Sequence, residues 1–185
     1  MPAPASTPAD LADQLDGGQR LTFLFFWGHR PNRDGSIGKG CLSQWWPAPF
    51  ELDGATFATA EHYMMWRKAM LFDDDQIAAR ILAATHPKQV KELGRAISGF
   101  DEARWAAQRY AIVVAGNTAK FGQHEDLRTF LLGTGDRILV EASPLDAIWG
   151  IGATADDPRA EDPANWPGLN LLGFALIDVR TALTA

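Results

Sequence analysis

Glu61 and Lys68 lie seven residues apart in the stretch TAEHYMMWRKAM, Thr59 to Met70. A carboxylate and an amine are the pair needed to move a proton at a scissile bond, or to turn a lysine into a nucleophile. In a helix, residues seven apart lie within about 20° of one another around the axis and about 10.5 Å apart along it. Both long side chains can therefore converge on a molecule lying across Met64 and Met65. The plainer alternative is an amphipathic helix in which Met64, Met65 and Trp66 face a core while the two charged ends snorkel to water. The spacing alone does not decide between them.

Two other segments carry polar chemistry. ASPLDAIWGIG (142–152) places Asp146 after a Ser-Pro turn and before Trp149 and Gly150. Such a loop presents a carboxylate and an aromatic face, and its glycines permit close backbone approach. Alternatively, Asp146 simply caps a turn. In GNTAKFGQH (116–124), Asn117 and Lys120 are suited to grip phosphate or sugar, or else to cover a helix surface. There are seven tryptophans, and several lie in Gly/Pro-rich segments rather than in periodic runs: Trp45 and Trp46 precede Pro47, Trp149 precedes Gly150 and Trp166 precedes Pro167. Loop aromatics are platforms for planar ligands, although packing is the simpler use. Trp27, Trp46 and Trp149 are the candidates for stacking on a base.

Those residues must be held by ordinary elements. LTFLFFW (21–27) reads as a strand, and GHRPNRDGSIGKG (28–40) as a glycine-rich basic loop. Asp53-Gly54 inside FELDGATF marks a hairpin. Thr59 is placed as the N-cap of a helix to about Leu71, with Glu61 in the first turn where the helix dipole favours it. Further helices are expected over 73–85, 86–97 (Pro87 in the first turn), 101–121 and 124–135, then a strand over 137–142. Residues 152–168 read as an Asp- and Pro-rich loop and 169–183 as a closing helix. The expectation is a single mainly helical α+β domain over 21–185, after a flexible leader over 1–20.

Composition limits the function classes. A net charge of -6 over 185 residues leaves no global basic field for a nucleic-acid backbone, so such binding needs a local patch. Arg30, Arg33 and Lys39 of the 28–40 loop form one, and with Lys120 they are the candidates for phosphate contacts. The single cysteine, Cys41, points to a reducing cytoplasm. No apolar run approaches the roughly 18 residues of a membrane helix, and the leader lacks the apolar core of a signal peptide. Walker-type, G-x-G-x-x-G and G-x-S-x-G signatures are missing. His29, His62, His86 and His124 are scattered, so neither a metal site nor a cofactor is expected.

Five motifs in order, LSQWWPAPFELDG, TAEHYMMWRKA, AKFGQH, SPLDAIWGIG and NLLGFALIDVR, make the chain resemble the NADAR family, with its YbiA-like fold, from about Phe23 to Arg180. The resemblance implies a compact α+β domain with N-glycosidase activity. Two substrate classes go with it. One is ADP-ribose attached to guanine in DNA or RNA, with a functional pairing to a DNA ADP-ribosyltransferase. The other is early riboflavin-pathway intermediates, ribosylaminopyrimidinone phosphates. A non-catalytic module binding NAD or ADP-ribose is the reading from another class. The resemblance points to Lys68, Glu61 and Asp146 as catalytic. It points to Trp27, Arg30, Ser43, Trp46, His62, Asn117, Lys120, Trp149, Gly150 and Asn170 as substrate contacts. The chain departs from the family in having Met65 where Gln is frequent, and Gln44-Trp45 where Asn-Phe is frequent. Its 28–40 loop is also longer than in the shorter members. These departures bear on substrate identity more than on reaction type.

Overall fold

The computed structural model describes residues 6–184. The architecture is α+β and mainly helical, with four short strands among the described residues. The chain divides into two compact units, one running from Ser43 to Thr129 and the other made of the segments before and after it.

In the unit formed by the two outer segments, β1 (Phe23–Phe26) pairs in parallel with β4 (Ile138–Glu141). The register sets Phe23 opposite Ile138 and Phe26 opposite Glu141. Because the pair is parallel, the chain leaves both strands at the same end. The loop that begins at Trp27 and the loop that begins at Ala142 therefore emerge side by side, and the Ala142 N–H donates to Phe26 O at 2.9 Å. Among the described residues no strand pairs with the other edge of β4. Asn170 takes its place: its Nδ2 donates to Leu139 O at 2.9 Å, and its Oδ1 accepts the Glu141 N–H at 3.0 Å. Asn170 holds φ +53°, a left-handed conformation that asparagine tolerates better than most residues. Helix α7 (Leu171–Thr184) follows at once and lays Leu172, Phe174, Leu176 and Val179 into a core with Leu139 and Val140.

The segment read as a flexible leader is structured where it is described. Thr7 caps α1 (Pro8–Asp16) in a reciprocal capping box with Asp10, and Leu11 is fully buried. This helix packs on a short 3-10 turn at Pro163–Asn165, inside the stretch expected to be loop. Residues 1–5 of the expected leader, and Ala185, lie outside the described residues. Trp166, one of the loop tryptophans, is buried: its Nε1 donates to Ala160 O at 2.9 Å and its ring meets Phe23 edge-on at 6.2 Å.

The other unit is built around α2 (Ala60–Leu71), which packs on α3 (Asp75–Ala83), α4 (Pro87–Arg95) and α5 (Glu102–Gln123). The caps follow the sequence: Thr59, Asp74 and Asp101 each accept an early backbone N–H through a side-chain oxygen. His86 caps α4 through its ring, with Pro87 at the first position. A hairpin of β2 (Phe50–Leu52) and β3 (Ala55–Phe57) precedes α2, and its turn residues Asp53 and Gly54 have φ +51° and +78°. Two positive-φ residues are what the two-residue turn of a twisted hairpin requires. The Asp53 carboxylate accepts from Tyr63 Oη at 3.1 Å and from Arg67 at 2.6 Å, which ties the turn to α2. At the far end of α5, the Gln123 amide accepts the Glu51 N–H at 2.9 Å and donates to Glu51 O at 2.8 Å. A primary amide thus completes an open strand edge here too. Helix α6 (Glu125–Leu132) follows α5. Among the described residues no helix is long and apolar enough to cross a membrane.

Replacing Asn170 by Ala leaves a buried N–H and a buried carbonyl without partners and puts a less tolerant residue at positive φ. Each lost partner costs about 1–3 kcal/mol, so a total loss of roughly 2–6 kcal/mol is expected as a lowered urea midpoint. An unchanged midpoint would show that the β4 edge does not need this amide.

Candidate active site

The residues singled out from the sequence fall in both units, and each set has its own geometry.

In the α2 unit, residues Ala60 to Met65 are all buried, so Glu61 is not a solvent-facing end of an amphipathic helix. Its side chain is only 4% exposed. Its N–H donates to Gln44 O at 3.0 Å, which fastens the 43–49 loop to the first turn of α2. Gln44 is buried as well, and its Oε1 accepts from Asn117 Nδ2 at 2.7 Å. Asn117 Nδ2 also donates to Val113 O at 2.9 Å, so both amide protons face acceptors and Oδ1 is turned the other way. One turn along α5, Lys120 is completely buried, with its Nζ donating to Ser43 O at 2.9 Å and lying 4.9 Å from the Phe121 ring centre. Ser43, Gln44, Glu61, Asn117 and Lys120 thus form one interior polar cluster. Asn117 and Lys120 do not cover a helix surface. Trp46, half-buried, sits on the same loop, its N–H donating to Ser43 O at 3.2 Å.

Lys68 is near the C-terminal end of α2. Its Nζ donates to Gly94 O at 2.9 Å and lies 4.3 Å from the Phe100 ring centre and 5.6 Å from that of Trp105. Desolvation lowers the ammonium's pKa below the ordinary lysine value, while the charges of Glu102 and Glu61 oppose the shift. The apolar surroundings were expected from Met64, Met65 and Trp66. They come instead from Phe100 and Trp105, because Met64 and Met65 point to other neighbours. Met64 Sδ meets Gln44 Nε2, and Met65 fills the space that a side chain at Gly94 would occupy. That glycine lets α4 approach α2 closely enough for its carbonyl to reach Nζ.

His62, expected to touch substrate, has both ring nitrogens engaged. Nδ1 pairs with Thr59 Oγ1 at 2.8 Å and Nε2 with Ala84 O at 3.2 Å. A carbonyl can only accept, so the proton sits on Nε2 and Nδ1 accepts the threonine hydroxyl. Burial pushes its pKa down, against the Ala84 carbonyl, which pulls it up. His62 belongs to the frame that joins α2 to the end of α3.

In the other unit, the Asp146 Oδ1 accepts the N–H groups of Ile148 at 2.9 Å and Trp149 at 2.8 Å. The carboxylate does cap a turn, and by doing so it fixes the half-buried Trp149. Gly150 is buried where any side chain would run into Glu141 O and Asp146 O, so the loop needs a glycine there. The Asn170 N–H donates to Gly150 O at 3.0 Å. With both ends of its side-chain amide on β4, Asn170 also belongs to the frame. Trp27 and Arg30 are exposed, on the loop that leaves β1 at the end from which the Asp146 loop leaves β4.

The NADAR domain profile matches residues 25–184. The chain belongs to the NADAR family. N-glycosidase R617 of Acanthamoeba polyphaga mimivirus is 40% identical over 163 residues, which is 85% of this chain and 94% of that protein. N-glycosidase YbiA of Escherichia coli (strain K12) is 31% identical over 135 residues, 73% of this chain and 76% of that protein. The NMR structure of E. coli YbiA superimposes with a TM-score of 0.69 at 27% identity, covering 90% of this chain and 87% of that one. The YbiA-like NADAR fold expected from the five motifs is therefore the fold of this chain.

Within this NADAR domain, sequence reasoning missed Gln44, Gly94, Phe100 and Trp105. Gln44 stood inside a quoted motif, and its departure from the frequent Asn was the available signal. Nothing in the spacing of Phe100 or Trp105 signals that both rings close on Lys68.

A buried histidine with a lowered pKa gives a sign. Between its folded pKa and about 6.5, the unfolded chain binds the proton and the folded one does not, so stability falls as pH drops through that window. The slope from this group is at most about 1.4 kcal/mol per pH unit. Denaturant midpoints from pH 7 to 5 should fall, and His62→Gln should flatten the fall; an equal slope in the variant would remove His62 as its source.

Proposed function

We propose that this NADAR domain hydrolyses a ribosyl–base N-glycosidic bond, and that the substrate is guanine carrying ADP-ribose in DNA or RNA. The observation that carries the reading is the Lys68 amine. It is held on a backbone carbonyl against two aromatic rings, its pKa lowered by desolvation, on the same helix as the buried Glu61. A binding module needs neither a desolvated amine nor a buried carboxylate seven residues away.

Cleaving a ribosyl–nitrogen bond places positive charge at the anomeric carbon and negative charge on the departing base. A carboxylate answers the first charge, and we assign that to Glu61. Asp146 is assigned to fixing the turn that carries Trp149, since its Oδ1 is already engaged by two N–H groups. Lys68 serves the second step. As a neutral amine it attacks C1 of the ring-opened sugar, and the bond from C1 to the base nitrogen breaks. The protons that the amine loses pass through the Glu61 carboxylate to the base nitrogen, and the base leaves. Water then hydrolyses the lysine–sugar imine, returning the amine and releasing the sugar as its aldehyde. A chain whose single thiol is buried suits a reducing cytoplasm for this work.

The test is a cleavage assay on an oligonucleotide bearing ADP-ribosylated guanine. The parent should release ADP-ribose, and Lys68→Ala should be slower by roughly 10³-fold or more. Borohydride added during turnover should leave a sugar adduct on Lys68; turnover without an adduct there excludes the imine route. No release by the parent, with cleavage of a ribosylaminopyrimidinone phosphate, would move the substrate to the riboflavin intermediates. Binding of ADP-ribose without turnover of either would make the domain a binding module.

A pH profile adds a second check. A neutral-amine nucleophile makes the rate rise with pH up to the lowered pKa of Lys68, so the rising limb should lie below 10.5. Phe100→Ala should move that limb upward by rehydrating the amine. A limb that does not respond to Phe100 would mean that another group titrates.

A further inference from the structure

The stretch from Arg20 to Lys39 contains four cations, Arg20, Arg30, Arg33 and Lys39, against one acid, Asp34, in a chain of net charge -6. All four cations are exposed. The loop that carries three of them is folded. The Asn32 N–H donates to Ser36 O at 3.0 Å, the Gly35 N–H to Asn32 O at 2.9 Å, and Asn32 Nδ2 to Ser36 Oγ at 3.0 Å. Gly38 and Gly40 are buried where side chains would strike Asn32 and the Arg30 backbone, so the loop folds back on itself. Its one acid is turned into that fold: Asp34 Oδ1 accepts from Ser36 Oγ at 2.6 Å and from the Ser36 N–H at 3.0 Å. At the loop's entry stands Trp27, 58% exposed, with its indole open to solvent. The parallel register brings all of this out beside the Asp146–Trp149 loop.

We infer that residues 27–39 form a docking surface for single-stranded nucleic acid, with Trp27 stacking on a base and Arg30, Arg33 and Lys39 meeting successive phosphates. A single diphosphate needs two or three donors gathered at one point. Arg30 and Lys39 stand at the neck of the folded loop, where Gly40 packs on the Arg30 backbone, and Arg33 lies in the turn at its far end, so that with the exposed ring at the entry they match a strand of alternating phosphates and bases. The inference goes beyond the glycosidase reading, because it concerns the chain flanking the modified base and not the bond that is cut. It stands or falls without turnover.

The experiment is fluorescence anisotropy with a labelled, unmodified single-stranded 12-mer over 25–200 mM salt, using the intact chain. The parent should bind, with affinity falling steeply as salt rises. Arg30→Ala combined with Arg33→Ala should weaken binding about 10- to 100-fold at low salt. It should also make the log–log salt slope shallower by about 1.4, the counterion release of two single-strand phosphates. Trp27→Ala should weaken binding at least about 5-fold, the lower end for loss of one stacked base, with the salt slope kept. These side chains are exposed, and far-UV circular dichroism should show the variants folded. No binding by the parent at 25 mM salt overturns the inference. So does binding whose strength and salt slope are the same in the double variant. If the variants weaken free ADP-ribose and leave the 12-mer unaffected, the loop serves the substrate's own diphosphate and the inference is wrong. Failure to cleave, with 12-mer binding intact, would count against the glycosidase reading alone.

Discussion

Burial of the first half of α2 is the constraint on which its unit depends. Six consecutive residues, Ala60 to Met65, are withdrawn from water, and a glutamate and a histidine are among them. A helix buried all round must satisfy its polar groups internally, because an unmade hydrogen bond in the interior costs more than a made one contributes. The neighbours are placed accordingly. Thr59 and the end of α3 take the two ring nitrogens of His62, and the Gln44 carbonyl takes the Glu61 N–H. The Asp53 turn takes the Tyr63 hydroxyl. Glycines at 94 and 116 remove side chains where Met65 and the Tyr63 ring approach α4 and α5.

The other half of the helix is desolvated by different neighbours. An amine on the outer half of α2 would ordinarily be a hydrated ammonium. Lys68 instead lies against Phe100 and Trp105, with its Nζ donating to the Gly94 carbonyl. Desolvation then favours the neutral form, the form in which lysine is a nucleophile. Glu61 and Glu102 pull in the opposite direction. The balance leaves an amine that is easier to deprotonate than usual.

In the other unit the organising element is a parallel pair of four-residue strands, which is too small to be stable unaided. It is completed from both sides. Helix α7 covers β4, and the Asn170 amide supplies the hydrogen bonds that a third strand would have made. Gln123 does the same for the hairpin edge in its own unit. Capping a short strand with a primary amide closes that edge of the sheet to a second chain. The loop ends are thereby held still, including the Asp146 turn that fixes Trp149.

The sequence by itself determined the helices, their N-caps, the Asp53-Gly54 turn and the order of motifs that marks a NADAR domain. These are local matters: apolar period, capping oxygens and positive-φ residues act within a few positions of one another. It also brought forward Lys68, Glu61 and the 28–40 loop. Only the tertiary structure decided what those residues meet. Phe100 and Trp105, not Met64 and Trp66, surround Lys68; Gln44 fixes Asn117; and His62 and Asn170 turn inward to hold the frame. The leader's α1, with Leu11 buried, is ordered by a long-range packing contact that its short polar sequence does not advertise. The physical reason is common to all of these. Burial and partner choice are set by segments dozens of residues away, and spacing along the chain carries no record of which ring or amide arrives from elsewhere.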